Sequence, residues 1–183
     1  MKGADDNPPM LCRFQSVLVA SLLALAACSP TFNWRDVRLA EGVALKALLP
    51  CKPDRGSRPQ VLAAQTLTLH MAGCDAGEAL FAITYTDLPE PGSATAIQQQ
   101  WQALLLANMK VQTPQQAAFS MRGATGPLQP VWLSANGQRQ DGQAVRVQAV
   151  WFAQGARLYH AAVYASKLDA EVAQTFLTGL KFE

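Results

Sequence analysis

The stretch Gln65-Thr66-Leu67-Thr68-Leu69-His70-Met71-Ala72, followed a few residues later by Ala79-Leu80-Phe81-Ala82-Ile83-Thr84-Tyr85-Thr86-Asp87, decides the fold class. In the first segment Leu67, Leu69 and Met71 fall on one face, and Thr66, Thr68 and His70 on the other. Such period-two alternation marks a half-buried strand, because successive side chains point to opposite faces. The second segment repeats the pattern with Phe81, Ile83 and Tyr85 on a common face. Gly73-Cys74-Asp75-Ala76-Gly77 between them predicts a turn, so the pair predicts a β-hairpin.

Downstream, Pro89-Glu90-Pro91-Gly92 breaks the strand pattern and Ser93 is placed to cap a helix. Residues 94–110 carry Ile97, Trp101, Leu104, Leu105 and Asn108 at helical spacing, which predicts an amphipathic helix. Its polar face is rich in Gln rather than Lys or Arg, which favours packing on a core over lying on a membrane surface. Residues 117–122 predict a short strand. Residues 129–136, 143–152 and 157–165 predict an antiparallel meander, with turn chemistry from Asn136-Gly137 and Gln154-Gly155. Ser166 and Asp169 open a last helix over 170–178, with Val172, Phe176 and Leu177 inward, and Gly179 ends it before an extended tail. Upstream, residues 32–38 read as extended, with Trp34 as a core anchor. Residues 42–49 read as a strand stopped by Pro50, and residues 52–59 as a loop carrying Lys52, Arg55 and Arg58. The order predicts an α+β fold, an antiparallel sheet with helices packed on it.

The N-terminal region reads differently. An apolar run over residues 17–27 ends in Leu25-Ala26-Ala27-Cys28. The run has the length of a signal-peptide core, ~7–15 residues. It is shorter than the ~20 residues that span a membrane. Small residues stand directly before a thiol able to carry a diacylglycerol. This resembles the lipobox of bacterial lipoproteins, and a plain secretory signal or a membrane-spanning anchor are its rivals. Lys2 and Arg13 are offset by Asp5 and Asp6, whereas a start at Met10 leaves a short positive segment before the run. Met10 is therefore read as the true start and residues 1–9 as an extension. Residues 1–27 form the signal peptide, 28–33 a lipidated tether and 34–183 a single domain.

The lipobox resemblance implies acylation of Cys28 and durable, peripheral membrane anchoring by its acyl chains. It also implies a location. Ser29, not Asp, follows the cysteine, which in a Gram-negative cell implies the periplasmic face of the outer membrane. In a Gram-positive cell it implies the outer face of the cell membrane. The formal charge of +2 and the 15% charged fraction call for no strongly charged partner, and no nucleic acid is expected.

Two cysteines remain in the mature chain, Cys51 and Cys74. In an oxidising compartment such a pair forms a disulfide, with ~3 kcal/mol of stabilisation in the chain-entropy model. The rivals are free buried thiols and a metal site that would recruit His70, four residues before Cys74. No fourth ligand and no Cys-x-x-Cys motif support the metal.

The strand ending at Leu48-Leu49-Pro50-Cys51-Lys52-Pro53 resembles the opening of PsbP/Mog1-like domains and their DcrB-type lipoprotein relatives. Tyr85-Thr86-Asp87-Leu88-Pro89 running into a helix resembles them too. So do Ala156-Arg157-Leu158-Tyr159-His160-Ala161-Ala162-Val163 and Phe176-Leu177-Thr178-Gly179-Leu180-Lys181-Phe182. The resemblance implies an αβα sandwich and an accessory or partner-binding role rather than catalysis. It carries over no functional residue.

A search for reactive groups gives no Gly-x-Ser-x-Gly elbow, no His-Glu-x-x-His and no phosphate loop. No catalytic, metal or cofactor-binding residue is assigned, and no cofactor is expected. His70 and His160 fall on strands and read as face or core residues. Asp75, Glu78, Asp87 and Glu90 flank turns and read as surface charges, against a carboxylate pair for glycoside hydrolysis. Trp34, Trp101, Trp132 and Trp151 read as core, with Trp132 and Trp151 the one pair that neighbouring strands could make a sugar platform. Lys52, Arg55 and Arg58 read as a solvated loop, against contact with anionic lipid.

Three readings of function follow. A non-catalytic module docking on an envelope protein comes first, a binder of small ligand or lipid second, and a hydrolase without a recognised motif third. A large exposed apolar patch favours the first. An apolar pocket with a few convergent polar groups favours the second, and clustered titratable groups the third.

Overall fold

The computed structural model describes residues 31–126 and 128–183. The expected signal peptide over 1–27, the expected start at Met10 and the expected acylation site Cys28 lie outside the described residues. Ten strands and two helices follow in the order β1 (Arg35–Arg38), β2 (Leu45–Leu49), β3 (Asp54–Leu62), β4 (Gln65–Ala76), β5 (Ala79–Asp87), α1 (Ala94–Asn108), β6 (Gln115–Ala118), β7 (Val131–Gln138), β8 (Ala144–Gln154), β9 (Arg157–Ala165), α2 (Ala170–Thr178) and β10 (Lys181–Phe182). The chain from Phe32 to Glu183 is one compact unit. The fold is α+β, with every strand pairing antiparallel.

Seven strands form the main sheet in the order β3-β4-β5-β9-β8-β7-β6, and β1-β2-β10 form a small one. One face of the main sheet is covered by the small sheet and α2. Phe81, Phe152, Tyr159 and Val163 pack there against Leu45, Leu49 and Phe176. The opposite face is covered by α1. Leu69, Leu158 and Ala153 meet Ile97 and Trp101 on one side of it, and Leu133, Val147 and Trp151 meet Met109 on the other. β9 is buried on both faces, so it reads as a nearly unbroken apolar run.

Both helices have identifiable ends. Asp169 caps α2, its Oδ1 accepting from the backbone N–H of Glu171 at 2.8 Å and Val172 at 3.2 Å. α1 closes where Lys110 turns left-handed at φ 54°, and the Val111 N–H returns to the Leu106 carbonyl at 2.9 Å. Ser93 stands at the start of α1, but its hydroxyl donates backwards to the Glu90 carbonyl at 2.7 Å and caps nothing.

Four local expectations are corrected. Residues 54–59 of the expected loop 52–59 belong to strand β3, which runs to Leu62 and is joined to β4 by the two-residue turn Ala63-Ala64. The segment 73–76 continues β4, and the turn to β5 is only Gly77-Glu78. Asn136-Gly137 lies inside β7, and the chain reverses over residues 139–143 instead. A Cβ on Gly137 would collide with the Met109 carbonyl oxygen, so this glycine lets the end of α1 sit on the sheet. The expected strand at 117–122 is β6, Gln115–Ala118.

Cys51 and Cys74 form a disulfide, with Cα atoms 6.0 Å apart. It ties the segment after β2 to β4, one strand in from the edge of the main sheet, on the face that carries the small sheet.

Candidate functional site

The site is built on the α1 face. Antiparallel register puts Met71, Thr84, His160 and Trp151 in one row across β4, β5, β9 and β8. The next row is Gly73, Ala82, Ala162 and Ala149, four small residues that lower the floor of the sheet. α1 covers only part of this surface. Between its Trp101, Leu104, Leu105 and Asn108 and the strands β3–β5 lies a groove of about 510 Å³. Leu62, Leu69, Met71 and Leu80 make it apolar, and Leu80 stays 37% exposed at its side. A second hollow of about 360 Å³ shares Leu80, Asn108 and Tyr164 and extends towards Gln138 and Arg139.

Three polar side chains, Thr84, His160 and Tyr164, stand among the groove's lining. His160 is 5% exposed, stacked on the Trp151 ring at 4.4 Å and tilted against Trp101 at 5.2 Å. Its Nε2 has no hydrogen-bond partner. Burial pulls its pKa down to about 3, so the ring is neutral. Burial likewise raises the Tyr164 phenol, which stays protonated. Thr84 is buried beside them. The groups lining the groove are therefore uncharged, with the single exception of Arg58 at its mouth. Arg58 makes no ion pair among the described residues.

The structure disperses the other candidates. His70 lies on the opposite face of the sheet from His160, stacked on Tyr85 at 5.0 Å. Asp87 is paired with Arg157 at 2.6 Å. Trp132 is opposite Val150, and Trp151 opposite Val131, so these two rings point to opposite faces and form no platform. Trp34 packs edge-on against Phe81 at 6.1 Å. Arg55 is a latch, donating to the carbonyls of Leu39 at 3.2 Å and Arg38 at 3.0 Å. It faces away from Arg58, so the basic cluster of 52–58 is split between faces, with Lys52 exposed just before β3. Among the described residues no group of His, Cys, Asp and Glu is placed to hold a metal, and no helix is long and apolar enough to cross a membrane.

Sequence reasoning named His160, Arg58 and Trp101 without joining them. What joins them is β3, which has loop composition in sequence and forms one wall of the groove.

No protein-family model matches the chain, and neither does a curated protein. Among solved structures, a protein of unknown function from Pseudomonas aeruginosa, described as a putative regulator, is similar at 16% identity. The match covers 73% of this chain and 83% of that one with a TM-score of 0.36, too low to carry an argument.

Proposed function

We propose that this chain is a non-catalytic envelope lipoprotein whose work is binding, and that it holds a small apolar or amphipathic ligand in the groove beside α1. The observation that carries the reading is His160, buried on the floor of an apolar groove with its Nε2 unsatisfied. An unpartnered buried polar atom costs roughly 1–3 kcal/mol, and a ligand oxygen or nitrogen that displaces the side chains closing over it would relieve that cost. A groove of about 510 Å³ falls in the size range of small-molecule sites. Docking on an envelope protein, the first expectation from sequence, has less support. Val61 and Leu80 are the exposed large apolar side chains among the described residues, and they make no broad patch. A sheet covered on both faces supports the PsbP/Mog1-like assignment, and Leu25-Ala26-Ala27-Cys28 supports lipid anchoring.

A solvatochromic dye on an alkyl chain tests the groove. The wild-type protein should bind it with one-to-one stoichiometry. Ala82→Phe, which fills the floor, should bind at least ten-fold more weakly with an unchanged circular dichroism spectrum. Equal binding by both proteins sinks the reading. Anchoring is tested separately: Cys28→Ala should abolish palmitate labelling and leave uncleaved precursor.

A further inference from the structure

We infer that the groove takes a single-chain anionic amphiphile, an acyl chain with an anionic head and, further along, a neutral oxygen. The inference rests on the binding role proposed above and names its ligand class. Shape argues for one chain. The groove is a trough between one helix and a floor to which Ala82 adds little bulk, and it shares Leu80, Asn108 and Tyr164 with the second hollow, whose far side carries Asp75 and Arg139. The apolar residues Leu69, Met71, Leu80, Leu104 and Leu105 line its length.

Charge argues for an anionic head. No carboxylate lines the main groove, and Arg58 is the one charged group on its wall. Arg58 has no ion pair among the described residues. Its place is fixed by register, directly opposite Leu69 and therefore on the α1 face. A guanidinium at the mouth of an apolar trough matches a carboxylate or phosphate at the end of a chain.

The floor argues for the neutral oxygen. His160 lies one row along the sheet from Leu69 and three strands across from Arg58, a lateral step of about 14 Å between the two backbones that their side chains narrow. Its ring is uncharged, so it suits a hydroxyl or an ester carbonyl rather than a second anion. The same chemistry is offered by a lysophosphatidate and by a hydroxylated fatty acid.

The test uses residues 29–183, whose compact unit from Phe32 onward has its own core. Three probes are titrated below their micelle concentrations: 1-oleoyl-lysophosphatidate, 3-hydroxymyristate and 1-monooleoylglycerol. The readouts are tryptophan fluorescence, to which Trp101 and Trp151 beside the site contribute, and native mass spectrometry. Either anionic probe is expected to bind at least ten-fold more tightly than the uncharged glyceride, and the tighter of the two identifies the head. Arg58→Gln should remove that advantage and leave glyceride binding unchanged. His160→Phe should weaken all three about ten-fold. Equal affinity for anionic and neutral probes, with no effect of Arg58→Gln, overturns the anionic head and leaves the groove standing. Failure of all three probes, together with failure of the dye, overturns the groove itself.

Discussion

The two faces of the main sheet are finished differently. The face under the small sheet and α2 is closed by aromatic packing, with Phe81 against Phe176 at 5.4 Å and Phe152 stacked on Tyr159 at 5.3 Å, and by the Cys51–Cys74 bridge. The α1 face is part covered and part open. Among the described residues, the buried side-chain atoms without a partner belong to Gln65, Gln102, Trp151 and His160. Gln102 is on α1, and the other three occupy strand positions on the α1 side. Both faces bury large apolar side chains, but the paired aromatic rings and the bridge lie mainly on one and the unsatisfied polar atoms on the other. That division is expected where one surface serves the fold and the other serves a ligand.

The contrast is broken most directly by truncation on each side. Phe176→Ala empties a fully buried position on the closed face and should cost about 3–5 kcal/mol. Leu104→Ala, on a half-buried groove wall, should cost about 1 kcal/mol or less. Urea unfolding of both variants measures the difference. Similar losses would mean that the two faces contribute alike.

The bridge comes next. The Cys51→Ser, Cys74→Ser double variant should lose ~3 kcal/mol. Its affinity for the alkyl dye at low temperature should not change, because the disulfide lies on the face away from the groove. A variant that loses dye binding while still folded would show that the faces are coupled.

Acid should reveal His160. The unfolded chain takes up its proton near pH 6.5, and burial keeps the folded chain from doing so until about pH 3. The stability held by the neutral ring is therefore complete above pH 6.5 and falls as pH drops from there towards 3. The slope is at most about 1.4 kcal/mol per pH unit, or ~2 kcal/mol at pH 5. His160→Phe should flatten this dependence. An unaltered acid slope in His160→Phe would remove the ring from the account.

Much of this architecture is legible in the sequence, because β4, β5, β9 and both helices carry clean periodicity and Asp169 carries a cap. β3 is hidden for two physical reasons. Arg55-Gly56-Ser57-Arg58-Pro59 has loop composition because it is an edge strand, where glycine, arginine and proline hinder pairing with another chain. Its turn, Ala63-Ala64, has no turn chemistry at all. At Asn136-Gly137 the signal is present and the turn is not, because the glycine serves close approach to α1. The groove inherits the first error, since β3 is its outer wall. That Arg58, His160 and Trp101 line one groove depends on register that no local pattern encodes.

The smallest expected effect concerns that silent turn. Ala63 and Ala64 hold φ of 49° and 59°, the left-handed region that costs a residue with a Cβ roughly 1–2 kcal/mol. Two successive residues there connect β3 to β4, the geometry for which Asn-Gly is preferred. Replacing the pair by Asn-Gly should relieve that strain. Part of the gain is returned, because glycine frees the unfolded chain more than alanine does. A net increase of about 1 kcal/mol is expected, raising the thermal midpoint by ~2–4 °C. The backbone N–H of Ala63 donates to Gln100 Oε1 on α1, a bond that the substitution retains. The turn therefore also fixes β3 against the helix across the groove, and a firmer turn should bind the alkyl dye at least as tightly as the wild type. A lower midpoint would show that the alanines are not strained, and weaker dye binding would show that ligand entry needs this hairpin to move.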